Sequence, residues 1–299
     1  MSNAGVELTN RYIKLMFKGL RDATPEQVHE ELEHCRRENL RPVRVPRMFR
    51  GYFEEEKYLS ESGYEMQVFK RDNHSRKLIF YLHGGATIYQ PVYFHWRFLH
   101  DLGLRTKVDI VMPIYPKSPE YHTSFSLAMV LDYFHEVIKP MQYDEIHLMG
   151  DSAGACSAMV IAQEMHKRGW QEHTSLTLIS PCLDLTYTHE EEMLALQDED
   201  PMLQFDRIKI ITDVWRGELP ANHPWVSPIF GDLQCLNNIS VYYGSNEILK
   251  VDVGLLREAL EKISKTADFH EAEGMFHTYP MFPVPQGFAA VKDIARKIK

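Results

Sequence analysis

A serine between small residues stands at the centre of the chain. Residues 150–154 read Gly-Asp-Ser-Ala-Gly, the G-x-S-x-G pattern in which Ser152 would be the nucleophile. The apolar run 146–149 precedes the motif and a helical stretch follows it, which is the strand–turn–helix context that such a nucleophile requires. Only small flanking residues fit so tight a turn. The motif therefore predicts a serine hydroxyl presented at the edge of a sheet for attack on a carbonyl carbon.

A glycine pair upstream could stabilise the charge that develops in such an attack. His83-Gly84-Gly85 follows the apolar run 78–82, and glycine lets the backbone approach a substrate oxygen closely. We expect the N–H groups of Gly84, Gly85 and Ala153 to form an oxyanion hole. A plain glycine turn is the alternative. For His83 we expect hydrogen bonds that order the loop rather than a catalytic role.

A nucleophilic serine needs a base, and an acid that orients the base. In α/β-hydrolases both follow the serine, the acid first and the histidine last. His277 comes after the last predicted strand and is the expected base. Glu247 is the only carboxylate in the turn after the preceding strand and is the expected acid. Asp252 and Asp184 remain as alternative acids.

Short apolar runs alternate with longer helical stretches from about residue 64 onward. This alternation predicts an α/β fold whose mostly parallel sheet is covered by helices on both faces, with its site at the carboxyl ends of the strands. The predicted strands cover residues 64–69, 77–82, 109–112, 145–149, 175–179, 239–243 and 268–271. The predicted helices cover residues 92–104, 124–138, 153–168, 206–215, 253–264 and 286–297.

Two segments stand outside this alternation. Residues 7–40 are polar and helical in pattern, so we expect helices in the N-terminal region 1–60. We expect residues 61–299 to form the catalytic domain. An insertion at about 184–222 would lie over its sheet. The insertion carries an acidic run from Glu190 to Asp200, which we interpret as the solvated face of a helix.

Composition narrows the class of protein. The 299 residues carry a formal net charge of -9, which disfavours nucleic acid as a partner. No apolar run is long enough to predict a membrane-spanning helix. Four cysteines lack any CxxC pair, so we expect free thiols and a reducing, cytoplasmic location. The histidines form no metal-binding motif, and we expect neither a metal nor another cofactor.

The motifs together resemble the hormone-sensitive-lipase-like group of α/β-hydrolases, also called the alpha/beta hydrolase fold-3 family. The resemblance covers residues 60–299 and lies in the His-Gly-Gly loop, the Gly-Asp-Ser-Ala-Gly motif, and the segments 115–120, 244–249 and 274–277. It implies an eight-stranded sheet with a helical cap built from the N-terminal helical cap region 1–60 and from residues around 184–222. It also implies a carboxylesterase that acts on small, short-acyl esters without a metal. A homodimer is compatible with this resemblance.

Two positions depart from the family pattern. Ala86 replaces the usual third glycine, and Glu247 stands where the family usually has aspartate. Other functions fit the same residues. Hydrolysis of an amide, or removal of an acetyl group from a sugar or a xenobiotic, would use the same triad. A ligand-binding protein without catalysis is the alternative from another class, and it would need a missing triad residue.

Overall fold

The computed structural model describes residues 3–299. Eight strands form one sheet in the order β1-β2-β4-β3-β5-β6-β7-β8. They are β1 Glu54–Leu59, β2 Glu65–Arg71, β3 Lys77–Leu82, β4 Asp109–Pro113, β5 Glu145–Asp151, β6 Ser175–Ile179, β7 Ile239–Gly244 and β8 Ala267–Ala272. Strand β2 runs antiparallel to β1 and β4, and the six strands from β3 to β8 are parallel. The predicted α/β fold with a mostly parallel sheet is confirmed.

Ten α-helices accompany the sheet in the described residues. They are α1 Asn3–Met16, α2 Lys18–Arg21, α3 Pro25–Glu38, α4 Tyr93–Thr106, α5 Thr123–Tyr133, α6 Ala153–Lys167, α7 Glu190–Leu196, α8 Phe205–Arg216, α9 Lys250–Lys262 and α10 Pro285–Ile298. The segment Phe134–Ile138 continues α5 as one π-helical turn. This explains why the sequence pattern predicts a single helix through residue 138.

The central strand β3 is apolar without interruption because both faces of the sheet are covered. Leu78 and Phe80 pack in a cluster with α5, α6 and α9 on one face. Ile79 and Tyr81 point the other way and pack with α4 and α10. Successive side chains of a strand alternate between the two faces, so a strand between two helical layers needs apolar residues at every position.

Strand β1 is the one strand that the sequence patterns do not predict. It begins with three glutamates, and of its six side chains only Tyr58 is buried. The strand lies at the edge of the sheet and pairs with β2 alone. Charged residues on an edge strand discourage pairing with other chains, and they also remove the apolar pattern by which a strand is recognised.

The helices of the N-terminal region pack against the insertion. Helix α3 begins with a capping box formed by Thr24 and Gln27. Val28 and Leu32 of α3 share a small apolar cluster with Ile88 and with Ile211 of α8. The two predicted cap segments therefore touch each other. The division of the chain into a cap and a catalytic domain stays a prediction.

The four cysteines, Cys35, Cys156, Cys182 and Cys235, are all buried and free. Over residues 3–299, each helix is too short or too polar to cross a membrane.

Candidate active site

Ser152 sits on the sharp turn between β5 and α6. Its backbone has φ 53° and ψ -124°, a conformation that costs energy for a residue with a side chain. Its N–H donates to the carbonyl of Ile179 at 2.8 Å, which ties the turn to the neighbouring strand β6. The half-buried serine stands at the carboxyl end of β5, where the predicted nucleophile elbow requires it.

Two glycines make this turn sterically possible. A Cβ atom on Gly150 would lie 2.3 Å from the carbonyl oxygen of Gly154, and one on Gly154 would lie 2.1 Å from that of Leu82. Both contacts are with backbone atoms, which cannot swing aside as a side chain can. The elbow is therefore held by close backbone packing that no larger residue permits.

Glu247 and His277 form a buried pair on the loops that follow β7 and β8. Glu247 Oε2 lies 2.6 Å from His277 Nδ1. A carboxylate only accepts, so Nδ1 donates and Nε2 is left to accept a proton. His277 and Ser152 line the same pocket, although no hydrogen bond joins them within residues 3–299. Such contacts often tighten only when substrate binds.

Ser180 joins the loop of the acid to the loop of the histidine. Its hydroxyl donates to Glu247 Oε1 at 2.9 Å and accepts the N–H of Thr278 at 2.8 Å. The N–H of Gly244 donates to the same carboxylate oxygen at 2.9 Å. Sequence analysis did not single out Ser180, because its contacts come from residues about 70 and 100 positions away. Both oxygens of Glu247 are thus fixed by hydrogen bonds, as an orienting acid requires.

The imidazole of His277 is poised as a base. Burial alone lowers the pKa of His277, because a buried ring loses the hydration of its charged form. The hydrogen bond and charge of Glu247, with the charges of Asp200 and Asp151, outweigh burial and raise the pKa above its usual 6.5. The three carboxylates thus stabilise an imidazolium, the form that His277 would take after accepting a proton.

Asp200 corrects the interpretation of the acidic run. The neighbouring Asp198 and Glu199 are exposed, but Asp200 is fully buried. Its carboxylate accepts the N–H groups of Met202 and Leu203 at 2.8 and 2.9 Å and that of Ile248 at 2.9 Å. Burial raises the pKa of Asp200 to about 6, against the effect of these three donors. Asp200 therefore ties the insertion to the residue next to Glu247.

The two alternative acids have other partners. Asp252 accepts the N–H groups of Leu183 and Asp184 at 2.6 and 3.2 Å. Asp184 in turn accepts the N–H and the hydroxyl of Thr186 at 2.8 and 2.6 Å. Neither carboxylate contacts His277 in the described part of the chain. Both carboxylates hold the loop after β6, and Glu247 alone of the three candidates reaches the histidine.

The donors available for an oxyanion differ from those predicted. The N–H of Gly84 donates to Asp151 Oδ1 at 2.8 Å, so the expectation that Gly84 serves the oxyanion is corrected. The N–H groups of Gly85, Ala86 and Ala153 have no acceptor among residues 3–299. Ala86, which departs from the family glycine, adopts φ 51°, and its N–H remains available. The three free donors are thus the second glycine of the pair, the alanine after it, and the alanine after the nucleophile.

Asp151 fastens the glycine loop to the nucleophile turn. Besides Gly84, its Oδ1 accepts the hydroxyl of Tyr81 at 2.5 Å, and His95 Nε2 lies 3.5 Å from its Oδ2. Burial raises the pKa of Asp151, but His95 and the two hydrogen bonds lower it by more, and the carboxylate is held ionised. A Cβ on Gly84 would lie 2.2 Å from Asp151 Oδ2, so this glycine is required by the contact.

His83 lies behind the loop rather than at the serine. Its Nδ1 donates to the carbonyl of Gly84 at 2.6 Å, and its ring stacks on Tyr115 with 4.6 Å between centroids. The Tyr115 hydroxyl donates back to the His83 carbonyl at 2.6 Å. Burial, aided by the charges of Lys117 and His95, lowers the pKa of His83 well below its usual value. A neutral ring therefore orders the loop from behind.

The pocket that contains Ser152 and His277 has a volume of about 330 Å³. Most of its wall is apolar, and the apolar side chains are Phe17, Val92, Phe94, Met202, Leu203, Met281 and Phe282. Arg207 and Tyr89 also line it, and both bind Glu31 of α3. These polar contacts connect the wall of the pocket to the N-terminal helices.

Within residues 3–299, no group of three or more histidine, cysteine or acidic side chains is arranged to hold a metal ion.

Comparison with known proteins agrees with this geometry. An esterase from Acinetobacter venetianus is 29% identical over 238 residues, which is 78% of each chain. The crystal structure of a provisionally assigned esterase from Staphylococcus aureus is 27% identical with a TM-score of 0.84, and the match covers 93% of this chain and 94% of that one. An esterase from the bacterial hormone-sensitive lipase family is 20% identical with a TM-score of 0.79, over 100% and 98% of the two chains.

The family described as alpha/beta hydrolase fold matches residues 79–281, about two thirds of the chain. That span contains the serine turn, the acid loop and the histidine. The chain belongs to this alpha/beta hydrolase fold family, and like its esterase relatives it is a hydrolase of carboxylic esters.

Proposed function

We propose that the protein is a serine carboxylesterase that cleaves small, short-acyl esters through an acyl-enzyme intermediate. One observation carries this proposal. Glu247 holds Nδ1 of His277 at 2.6 Å, and the same histidine lines a pocket with the strained Ser152. An activated serine nucleophile needs this arrangement of a base and its orienting acid.

In the proposed reaction, His277 Nε2 takes the proton of the Ser152 hydroxyl as Oγ attacks the ester carbonyl carbon. Glu247 stabilises the imidazolium that forms. The tetrahedral intermediate collapses, the alkoxide leaves with the proton from His277, and the acyl group stays on Oγ. Water then attacks the acyl group by the same steps, releases the carboxylic acid and restores the serine.

The N–H groups of Gly85, Ala86 and Ala153 are the proposed oxyanion donors. Their lack of another acceptor supports this assignment, and the use of the Gly84 N–H by Asp151 removes the fourth. All three belong to the backbone, so they are fixed before the charge develops. The loss of one such donor typically costs about 3 kcal/mol in the barrier.

The shape of the pocket supports a small ester. A volume of about 330 Å³ is at the small end of ligand sites, and its mostly apolar wall suits an acyl chain rather than a charged group. Arg207, the one lysine or arginine among the described residues of the wall, is already paired with Glu31 at 2.9 Å. An uncharged ester of modest size therefore fits better than a long or anionic one.

Hydrolysis of p-nitrophenyl esters from acetate to dodecanoate tests this proposal. We expect the best turnover on the short chains, and its loss in Ser152→Ala. Ser157→Ala is the matched control, because Ser157 lies on the same helix and its hydroxyl donates to the Ala153 carbonyl. Full turnover by a folded Ser152→Ala protein would overturn the assignment of the nucleophile.

The covalent intermediate has its own test. Rapid mixing with p-nitrophenyl butyrate should release p-nitrophenolate in a burst equal to the amount of protein. Mass spectrometry of the quenched protein should find one butyryl group on the peptide that contains Ser152. A burst without a modified serine would place the acyl group on another residue.

We also propose a reducing, cytoplasmic location and keep the homodimer as a prediction. Four free and buried thiols support the location, because such thiols persist in reducing compartments. Fractionation of the source cells tests the location, and sedimentation analysis of the purified protein tests the dimer.

A further inference from the structure

A second cavity lies beside the site and is not used by the proposed reaction. Its volume is about 370 Å³. Its walls come from the end of α3, from β1 and β2, and from the segment 114–121 that follows β4. Gln90 lines both this cavity and the pocket of Ser152, so the two spaces are neighbours. We call this space the Lys117 cavity.

Lys117 is the distinctive group in its wall. The side chain is buried, with the residue 3% exposed. Its ammonium donates to the carbonyl of Tyr115 at 2.8 Å and lies 4.5 Å from the centre of the Tyr115 ring. An ammonium has three N–H groups, and in the described residues the other two have no acceptor. No carboxylate among those residues forms an ion pair with it.

The other lysine and arginine side chains of the cavity wall are each paired with a carboxylate. Arg36 pairs with Glu120 at 2.8 Å, and Lys57 pairs with Glu65 at 2.7 Å.

Two more charges at the cavity wall also have partners. Arg41 pairs with Glu38 at 2.7 Å, and the carboxylate of Glu55 accepts from Gln67 at 2.7 Å. On the inner side, the neutral ring of His83 stacks on Tyr115. Lys117 is therefore the one buried cation of the cavity that lacks a counter-charge in the described residues.

A buried ammonium without a counter-charge is costly, because it has lost most of its hydration. Burial accordingly lowers the pKa of Lys117 to about 7. An anion in the cavity would supply the missing charge and acceptors. The same anion would draw a proton onto the amine at neutral pH, and its binding would be coupled to proton uptake.

One part of the otherwise polar wall offers apolar surface for a flat ligand. The rings of Tyr64 and Tyr121 both line the cavity and meet edge to face with centroids 5.2 Å apart. Leu40 and Ile114 contribute aliphatic surface. Two aromatic rings and one buried cation in the same cavity match a ligand that combines an aromatic ring with a single negative charge.

We propose that the Lys117 cavity binds a small aromatic carboxylate. The ammonium of Lys117 pairs with the carboxylate, and the tyrosine rings contact the aromatic body. This site differs from the pocket of Ser152, and the proposal does not depend on the ester chemistry.

Calorimetric titration with 4-bromobenzoate tests the proposal. We expect saturable binding near pH 6, at least tenfold tighter than binding of the uncharged 4-bromobenzyl alcohol. Affinity should fall by on the order of a hundredfold toward pH 9, as Lys117 loses its proton. At neutral pH, titrations in buffers of different ionisation enthalpy should reveal proton uptake. Equal affinity for the alcohol, or no dependence on pH, would overturn the proposal.

Substitution then assigns the effect to one residue. Lys117→Met keeps the length of the side chain and removes its charge, and it should weaken binding at least tenfold. Lys292→Met makes the same change at an exposed lysine outside the cavity and should leave affinity unchanged. Unchanged affinity in a folded Lys117→Met protein would refute the role of the ammonium.

Crystals of the parent protein soaked in 4-bromobenzoate locate the ligand without any substitution. The anomalous signal of bromine should appear in the Lys117 cavity, with the carboxylate within hydrogen-bond distance of Lys117 Nζ. A bromine peak only in the pocket of Ser152 would mean that the measured binding belongs to that pocket, and the proposal would fail. This result decides the matter even where Lys117→Met does not fold.

Discussion

The serine side and the acid–histidine side of the site are built in different ways. On the serine side, backbones approach so closely that only glycine fits, as at Gly150 and Gly154. On the other side, buried polar side chains are linked by hydrogen bonds, from Asp200 through the acid loop to Glu247 and His277. The first construction resists any added atom. The acid–histidine side should tolerate changes in side-chain shape, but it depends on the charge of its carboxylates and on which atom of His277 carries the proton.

A substitution on the serine side should have the largest effect. In Gly154→Ala, the new Cβ would lie 2.1 Å from the Leu82 carbonyl oxygen, and the backbone would have to move. We expect a loss of about 3 kcal/mol in the free energy of unfolding, together with all esterase turnover. Urea unfolding monitored by circular dichroism measures the loss.

The matched control for this change is Gly254→Ala. Gly254 lies in α9, and an added Cβ there meets no atom within 4 Å. Alanine favours a helix over glycine, so this variant should gain about 0.5–1 kcal/mol. Equal stability of the two variants would contradict the idea that backbone packing holds the serine turn.

A substitution in the acid should leave the fold intact and remove most turnover. Glu247→Gln replaces an acceptor by an amide that no longer fixes the proton of His277 on Nδ1. We expect kcat to fall by about 10⁴, the loss known for the corresponding aspartate-to-asparagine change in a serine triad. Steady-state kinetics with p-nitrophenyl butyrate measures the loss. Asp184→Asn, at the alternative acid, should keep its turnover, and the reverse result would assign the orienting role to Asp184.

The contrast between the two sides also explains what the sequence could predict. The serine turn is a local motif, because its glycines and its strand–turn–helix context lie within a few residues of Ser152. The acid and the histidine follow from their order along parallel strands. The roles of Ser180 and Asp200 were not predicted, because their hydrogen-bond partners lie far away in the chain. No local pattern separates buried Asp200 from its exposed neighbours Asp198 and Glu199.

Hydrogen bonds that composition does not reveal also determine which N–H groups of the glycine loop are free to serve as the proposed oxyanion donors. The sequence identifies a glycine loop but not which of its N–H groups is already used. Asp151 occupies a variable position of the G-x-S-x-G motif, and it accepts the hydrogen bond of the Gly84 N–H. The same limit applies to β1, whose glutamates hide an edge strand. Sequence patterns predict buried apolar surfaces well, and single polar contacts between distant segments poorly.

Asp200 offers a more moderate test of the acid–histidine side. Its negative charge raises the pKa of His277, which must be neutral to accept the serine proton. In Asp200→Asn this charge is lost, so the pKa of His277 should fall and the acid limb of kcat/KM should move to lower pH. We expect kcat to drop about tenfold because the bond to the Ile248 N–H is weakened. The exposed Asp198→Asn is the control, and an unshifted pH profile in Asp200→Asn would contradict this coupling.

The smallest effect on turnover is expected at Asp252, which lies in the first turn of α9, five residues after Glu247, and does not contact His277 in the described residues. Burial raises the pKa of Asp252 to about 7 in the folded protein, above its ordinary 3.8, so folding favours the protonated form. This contribution to stability is complete below about pH 4 and is lost as the pH rises toward 7, by at most about 1.4 kcal/mol per pH unit. Its Oδ1 is buried and has no hydrogen-bond partner in the described residues. An asparagine at this position would fill the same space without a charge. Asp252→Asn should therefore flatten the fall of unfolding free energy between about pH 4 and pH 7 in urea titrations, with turnover nearly unchanged. A profile as steep as that of Asp198→Asn would show that Asp252 is ionised in the folded protein at no cost.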